Sequence, residues 1–139
     1  MKKNVGCLIS VFTIFILSCF SFKNPNDCSK IKTGRFYYYR KALLRSKVNI
    51  ERTDTTQIET NPISGLVLRS RIAWKSSCSY DMFVNSLSQT RLNASDSLLS
   101  VTPVTIDIVY LSDDFYIYNA KMIISNKLYE LKDTIFIVH

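Results

Sequence analysis

The residues best suited to chemistry in this chain are a few carboxylates, a run of tyrosines and a basic stretch. Glu51, Asp54 and Glu59 lie close together in sequence and have the types needed for paired carboxylates in glycosidic acid–base work. Their neighbours Arg52, Thr53 and Thr55 make these polar strands, however, and solvated faces account for the acids better. Asp113 and Asp114 could open a calcium loop, but no D-x-[DN]-x-[DN]-G pattern surrounds them, and a turn explains them. Ser29-Lys30-Ile31-Lys32 satisfies the S-x-x-K pattern of penicillin-recognising enzymes, and Lys32-Thr33-Gly34 their K-T-G. The two motifs share Lys32, whereas in those enzymes they come from distant parts of a much larger fold, so neither is read as catalytic. Tyr37, Tyr38 and Tyr39 must alternate across a strand, with Tyr37 and Tyr39 on one face and Tyr38 on the other. Packing and edge cover are the default reading, and an aromatic ligand platform at a barrel mouth is the functional one.

Scarcity removes whole classes. The single histidine is His139 at the end of the chain, which leaves no His-based triad, no H-E-x-x-H site and no multi-His metal site. The three glycines, Gly6, Gly34 and Gly65, are too far apart to build a phosphate-cradling loop. No catalytic residue, metal ligand or cofactor is assigned.

The N-terminus sets the compartment. Met1-Lys2-Lys3-Asn4 is a short positive segment, and Val5 to Phe22 runs 18 residues without a charge. This is the layout of a secretory signal. It ends in Ile16-Leu17-Ser18-Cys19, which resembles the lipobox at which bacterial lipoprotein precursors are cut and lipidated on Cys. The organisation that follows is a signal peptide over residues 1–18, a polar tether over 19–27 and one β-domain over 28–139. The chain is expected outside the cytoplasm, on the periplasmic side of the cell envelope and anchored through Cys19, or secreted if not lipidated. Cys7 and Cys19 belong to the leader, so Cys28 and Cys78 are the pair left in the body. An even pair in an oxidising compartment reads as a structural disulfide.

Charge is uneven along the chain. The formal net charge of +7 falls to about +5 once Lys2 and Lys3 leave with the leader. Lys23 to Lys75 holds 12 Lys or Arg against four acids, while from Ser76 onward four Lys or Arg face seven acids. The default reading pairs basic N-terminal strands with acidic C-terminal ones in a closed barrel. The alternative is a polyanion or ligand face made by Arg35, Tyr37, Tyr39, Arg40 and Lys41. Basic residues interleaved with aromatics also suit single-stranded nucleic acid, but an exported protein rarely meets it.

The residues that position these groups read as strands. β-branched and aromatic residues recur with period 2 over Arg35–Leu43, Val48–Thr53, Thr55–Thr60, Leu66–Lys75, Cys78–Val84, Val104–Leu111, Phe115–Ser125 and Leu128–Val138. Within the fourth, Leu66, Leu68, Ile72 and Trp74 share the expected core face. Within the sixth, Val104, Ile106, Ile108 and Tyr110 alternate with Thr105, Asp107, Val109 and Leu111. Asn126-Lys127 is expected to turn the last hairpin, and Asn85 to Ser100, polar and Ser-rich, to form a long loop or short helix. Short turns between neighbours predict an antiparallel meander of about eight strands, closing into a small barrel or sandwich.

Three fragments carry a resemblance: Cys28-Ser-Lys-Ile-Lys-Thr-Gly34-Arg-Phe36, Arg52-Thr-Asp-Thr-Thr-Gln57-Ile-Glu59, and Ile72-Ala-Trp74-Lys-Ser-Ser-Cys78-Ser-Tyr80. Together they resemble a family of small exported lipoproteins of the Bacteroidetes type. The resemblance spans about residues 1–84 and implies a lipocalin-like β-domain with no established activity. Members sometimes carry a topoisomerase name; this chain is too short for one, and no acidic metal cluster accompanies its tyrosines.

The sequence therefore predicts a non-enzymatic binding or structural module of the envelope. Its partners would be the membrane through a lipid anchor and an anionic envelope component or small apolar ligand. A small envelope hydrolase using carboxylates is the alternative. Mass spectrometry of the mature N-terminus checks the leader: diacyl- or triacyl-Cys19 is expected, and an unmodified terminus near Phe22 would contradict it.

Overall fold

The computed structural model describes residues 27–40, 46–87 and 100–139. The leader, Cys19, Lys41 and most of the Ser-rich stretch lie outside the described residues. A one-turn 3-10 helix at Ser29–Ile31 precedes eight strands: β1 Gly34–Arg40, β2 Ser46–Arg52, β3 Thr56–Thr60, β4 Val67–Trp74, β5 Ser79–Leu87, β6 Val104–Leu111, β7 Phe115–Ile124 and β8 Lys127–Ile137. Each pairs antiparallel with its neighbour in sequence, and β8 returns to β1, so the meander closes into a barrel. Closure satisfies backbone groups that the outer strands of an open sheet would leave as bare edges.

One end of the barrel is plugged. The 3-10 turn places Ile31 and Cys28 fully out of solvent among Phe36, Ile50, Ile72, Tyr80, Ile108 and Tyr116. The disulfide Cys28–Cys78, with Cα atoms 5.1 Å apart, ties this plug to the turn before β5. Gly34 leaves the plug at φ +137°, a conformation that side chains rarely adopt, and an added Cβ would sit 3.4 Å from the Phe36 ring. Trp74 closes the rim outside the plug: its ring lies 4.6 Å from that of Tyr80, under the Lys32 ammonium, and its indole N–H donates to the Asp54 carbonyl. Lys30 reaches Asp113 in the β6–β7 turn at 2.7 Å.

Two bulges break the period-2 pattern. In β5 the register with β4 slips between Arg69 and Ser70, leaving Asn85 as the extra residue, and the strand continues to Leu87 rather than ending at Val84. Polar residues on a bulged strand look like a loop in sequence, which is why Asn85–Leu87 was expected to be one. In β6 the slip falls at Val109. Tyr110 consequently leaves the face of Ile108 and stacks outside on Phe115, while Leu111 turns inward against the core. The β7–β8 hairpin turns on Ser125 and Asn126, both with positive φ, one residue earlier than expected. In β4, Ser70 and Ile72 are buried and Leu68 and Trp74 half-buried, but Leu66 precedes the strand.

Closing the barrel depends least on hydrogen bonds at the β1–β8 seam, where only Phe36↔Ile137 and Tyr37↔Phe136 pair. Side chains cover it instead. Tyr37 stacks on Phe136 at 5.1 Å, Tyr39 and Phe115 pack edge-on or tilted against Phe136, and the Lys47 ammonium sits 4.2 Å from the Tyr37 ring centre.

The disulfide closes a loop of 50 residues, for which chain entropy gives about 4 kcal/mol of stabilisation. Replacing Cys28 by Ser is expected to lower the urea midpoint by a corresponding amount and to make Cys78 alkylatable. Full reactivity of Cys78 in the unaltered protein would contradict the bridge.

Candidate functional site

Alternation decides what enters the barrel. In β2, Val48, Ile50 and Arg52 share the inward face, so the last of a series of apolar positions is a cation. Arg52 is 3% exposed. Burying a guanidinium is tolerated only when its donors are met and its charge is answered. Here Nη1 donates to the Ile31 carbonyl at 3.1 Å, Nη2 to the hydroxyls of Tyr80 at 3.0 Å and Tyr116 at 2.8 Å, and Nε to Gln57 Oε1 at 2.8 Å. Phe36, Tyr80 and Tyr116 surround the guanidinium with ring centres 4.9, 5.1 and 5.8 Å away.

The network then climbs the wall. Gln57 Nε2 donates to Glu59 Oε1 at 2.8 Å, and the Tyr38 hydroxyl donates to Glu59 Oε2 at 2.9 Å. Gln57 thus has its oxygen on Arg52 and its amide hydrogens on Glu59, a polarity that admits only one orientation of the amide. The positive charge at the plug is linked through one neutral side chain to a negative charge halfway up the barrel. Burial alone would weaken the charged form of Arg52. Tyr116, Tyr80 and Glu59 outweigh it and hold the group above its ordinary value.

Above this network the interior is not filled. A cavity of about 500 Å³ extends toward the end where β1 finishes and β8 begins. Its lower wall is Tyr80, Ile50 and Ile106; its sides include Met82, Leu68, Val104 and Ala120. Glu59 and Tyr38 lie on it, as do Tyr118, Asp133 and Leu131 from β7 and β8. The volume falls in the range of small-molecule sites, and the mostly apolar lining with a few polar groups has their chemistry. Ser70, cross-strand from Gln57 and 2% exposed, holds a buried hydroxyl with no hydrogen-bond partner among the described residues.

Four tyrosines resist ionisation. Burial pushes Tyr116 and Tyr80 well above the ordinary tyrosine value although Arg52 pulls both the other way. Burial and then Glu59 raise Tyr38; burial and then Asp133 raise Tyr118. All four are therefore hydroxyl donors at neutral pH.

The structure separates the residues singled out from sequence. Glu51 and Asp54 are exposed near the plugged end, whereas Glu59, grouped with them as solvated, lines the cavity. Asp113 and Asp114 occupy a turn organised by the Ser112 hydroxyl and the Phe115 backbone. Ser29 in the S-x-x-K motif gives its hydroxyl to Asp27 on the surface of the plug. Arg35, Tyr37 and Tyr39 share the outer face of β1, and Tyr39 and Arg40 reach the rim of the cavity. It is Tyr38 that points inward. Among the described residues no three His, Cys, Asp or Glu come together in a way that could hold a metal ion. Sequence reading missed Arg52, Gln57, Tyr116, Tyr118 and Asp133. The signal for Arg52 was available in the Val48-x-Ile50-x-Arg52 alternation.

Truncating Arg52 to Ala leaves Tyr80, Tyr116, Gln57 and the Ile31 carbonyl without their donor, and a loss of roughly 3–5 kcal/mol in urea unfolding is expected. Lys at this position keeps the charge but not the fork, and is expected to recover only part of that loss. The raised tyrosines give stability that is fully present below pH 10, their unfolded value, and is lost as pH climbs toward their folded values. Ultraviolet titration should show these four ionising only as the barrel unfolds in alkali. Their ionisation near pH 10 in the still-folded barrel would contradict the network.

No family model, curated protein or solved structure matches the chain, so its function is argued from the cavity itself.

Proposed function

We propose that this protein is an extracytoplasmic binding module of the cell envelope, tethered through a lipidated Cys19, that holds a small and largely apolar molecule inside its barrel. The disulfide points to an oxidising, extracytoplasmic compartment. The leader supplies the anchor in this reading, and the resemblance to small exported lipoproteins fits both. The observation that carries the binding role is the cavity: about 500 Å³ of mostly apolar interior above the hydrogen-bonded Arg52 network. A barrel needed only for structure would fill that space, because unfilled apolar volume costs stability. Tyr38 and Tyr118 supply hydroxyls, and Glu59 and Asp133 carboxylates, that orient a ligand carrying one polar end.

A hydrolase using carboxylates is the second reading, favoured by Glu59 and Asp133 lining one cavity. Turnover of a chromogenic glycoside or ester by the parent chain, abolished by Glu59→Gln, would favour it over binding alone.

The neutral fluorescent probe N-phenyl-1-naphthylamine tests occupancy. Saturable binding at micromolar concentration is expected, and Ala120→Trp, which fills the cavity from β7, should weaken it tenfold or more. Met82→Trp fills the same space from β5 and serves if the first variant folds poorly. A folded parent chain that shows no saturable enhancement, or equal binding in both filled variants, would overturn the proposal.

A further inference from the structure

Most of the exposed apolar side chains gather at one end. Among the described residues, Ile63, Val101, Ile123, Leu128, Tyr129 and Leu131 are between 47% and 78% exposed and lie at the end opposite the plug, whereas Val138, 41% exposed, lies at the plugged end. Strand register explains why. Extending the seam pairing Tyr37↔Phe136 places Arg40, the last described residue of β1, opposite Asp133. Residues 127–132 of β8 thus lie beyond the described end of β1, and both faces of the strand are exposed there.

Charge is uneven too. Among the described residues on the outer surface of the mouth half, Arg40, Lys47, Arg69, Lys121, Lys127 and Lys132 are exposed against one exposed acid, Glu130. Around the plug the exposed acids Asp27, Glu51, Asp54, Asp113 and Asp114 are interspersed with the exposed bases Lys30, Arg35, Arg71 and Lys75. The mouth is therefore the more positive end of the barrel. Apolar side chains interspersed with lysines on one projecting edge have the composition of a surface that enters the interface of an anionic bilayer.

We infer that the rim of the barrel, led by Ile123 and Leu128 of the β7–β8 hairpin with Lys121 and Lys127 beside them, docks on an anionic lipid bilayer and turns the cavity mouth toward it. The hairpin tip carries the apolar contacts and the flanking lysines meet the headgroup charge. The inference deepens the membrane-anchored reading and uses it for one point, the tether. Cys28 lies at the plugged end, so a mouth-down barrel needs the chain from Cys19 to span the barrel height. Nine residue steps reach at most about 30 Å. The 11 residues of β8, tilted as barrel strands are, rise by about 27 Å. The span is sufficient.

Hydrogen exchange on the full lipidated chain, reconstituted in vesicles, tests this. Vesicles of phosphatidylcholine are compared with vesicles containing phosphatidylglycerol. Amides of residues 122–131 are expected to exchange at least fivefold more slowly on the anionic vesicles than on neutral ones, with the difference reduced by high salt. Ile123→Ser with Leu128→Ser should abolish the slowing, and Lys121→Glu with Lys127→Glu gives an independent variant that leaves the apolar contacts in place. A chain that floats with both vesicles while its hairpin exchanges as in buffer keeps the anchor and overturns the docking surface. A chain that floats with neither overturns both. Equal slowing on neutral vesicles overturns the charge selectivity. Concentration-dependent slowing without vesicles assigns the rim to a second copy of the chain, also against the proposal.

Discussion

A positive charge held out of water at the dry end of a barrel constrains everything around it. Arg52 cannot shed its proton and cannot be left unpaired, so the closed end must offer four acceptors at fixed places. One is the Ile31 carbonyl, which exists there because the 3-10 turn folds under the barrel and the disulfide from Cys28 keeps it there. Two are tyrosine hydroxyls from β5 and β7, strands that would otherwise meet only through β6. The fourth is Gln57, whose other end passes the interaction to Glu59. The plug, the cross-barrel tyrosines and the acid in the cavity wall are thus one connected arrangement.

That arrangement divides the interior by height. At the level of Gln57 and below, the Arg52 donors are all met, with the Ser70 hydroxyl the one buried side-chain polar atom without a partner among the described residues; above it the lining is mostly apolar, with Tyr38, Tyr118, Glu59 and Asp133 set into it. A rigid floor under an unfilled volume is a sound basis for ligand binding, since it leaves the reorganisation to the rim. Toward the rim the described part of the β1–β8 seam is unpaired, its two residue pairs lying nearer the plug. An aromatic layer of Tyr37, Tyr39, Phe115 and Phe136 holds the seam from outside. Local opening is easiest where backbone bonds are few, which is the mouth side of the seam rather than the plug.

Strand number and order were legible because period-2 alternation survives in most segments and the turns are marked by Asn, Asp, Ser and Pro. The pairing of Cys28 with Cys78 was legible because only two cysteines follow the leader. What failed has local causes. An inserted residue at Asn85 and another at Val109 reverse the alternation, so Tyr110, grouped by alternation with Ile108, lies on the opposite face from it. Glu59 looked solvated because its neighbours are polar, yet its parity with Gln57 and its partner Tyr38 take it inward. Arg52 was counted as one more base in a basic stretch. Whether a charged residue on an inward parity is an error or a keystone depends on partners 28 and 64 residues away, which no local pattern reports.

In the proposed reading, the space above the Arg52 network is a binding cavity. Methyl-resolved NMR during titration with a neutral apolar compound tests it most directly. Met82, Leu68 and Val104 should shift together and saturate, while Ile31 and Ile72 beside the plug stay in place. Shifts confined to Ile63 and Ile123 on the outer rim, or none at saturating ligand, would contradict it.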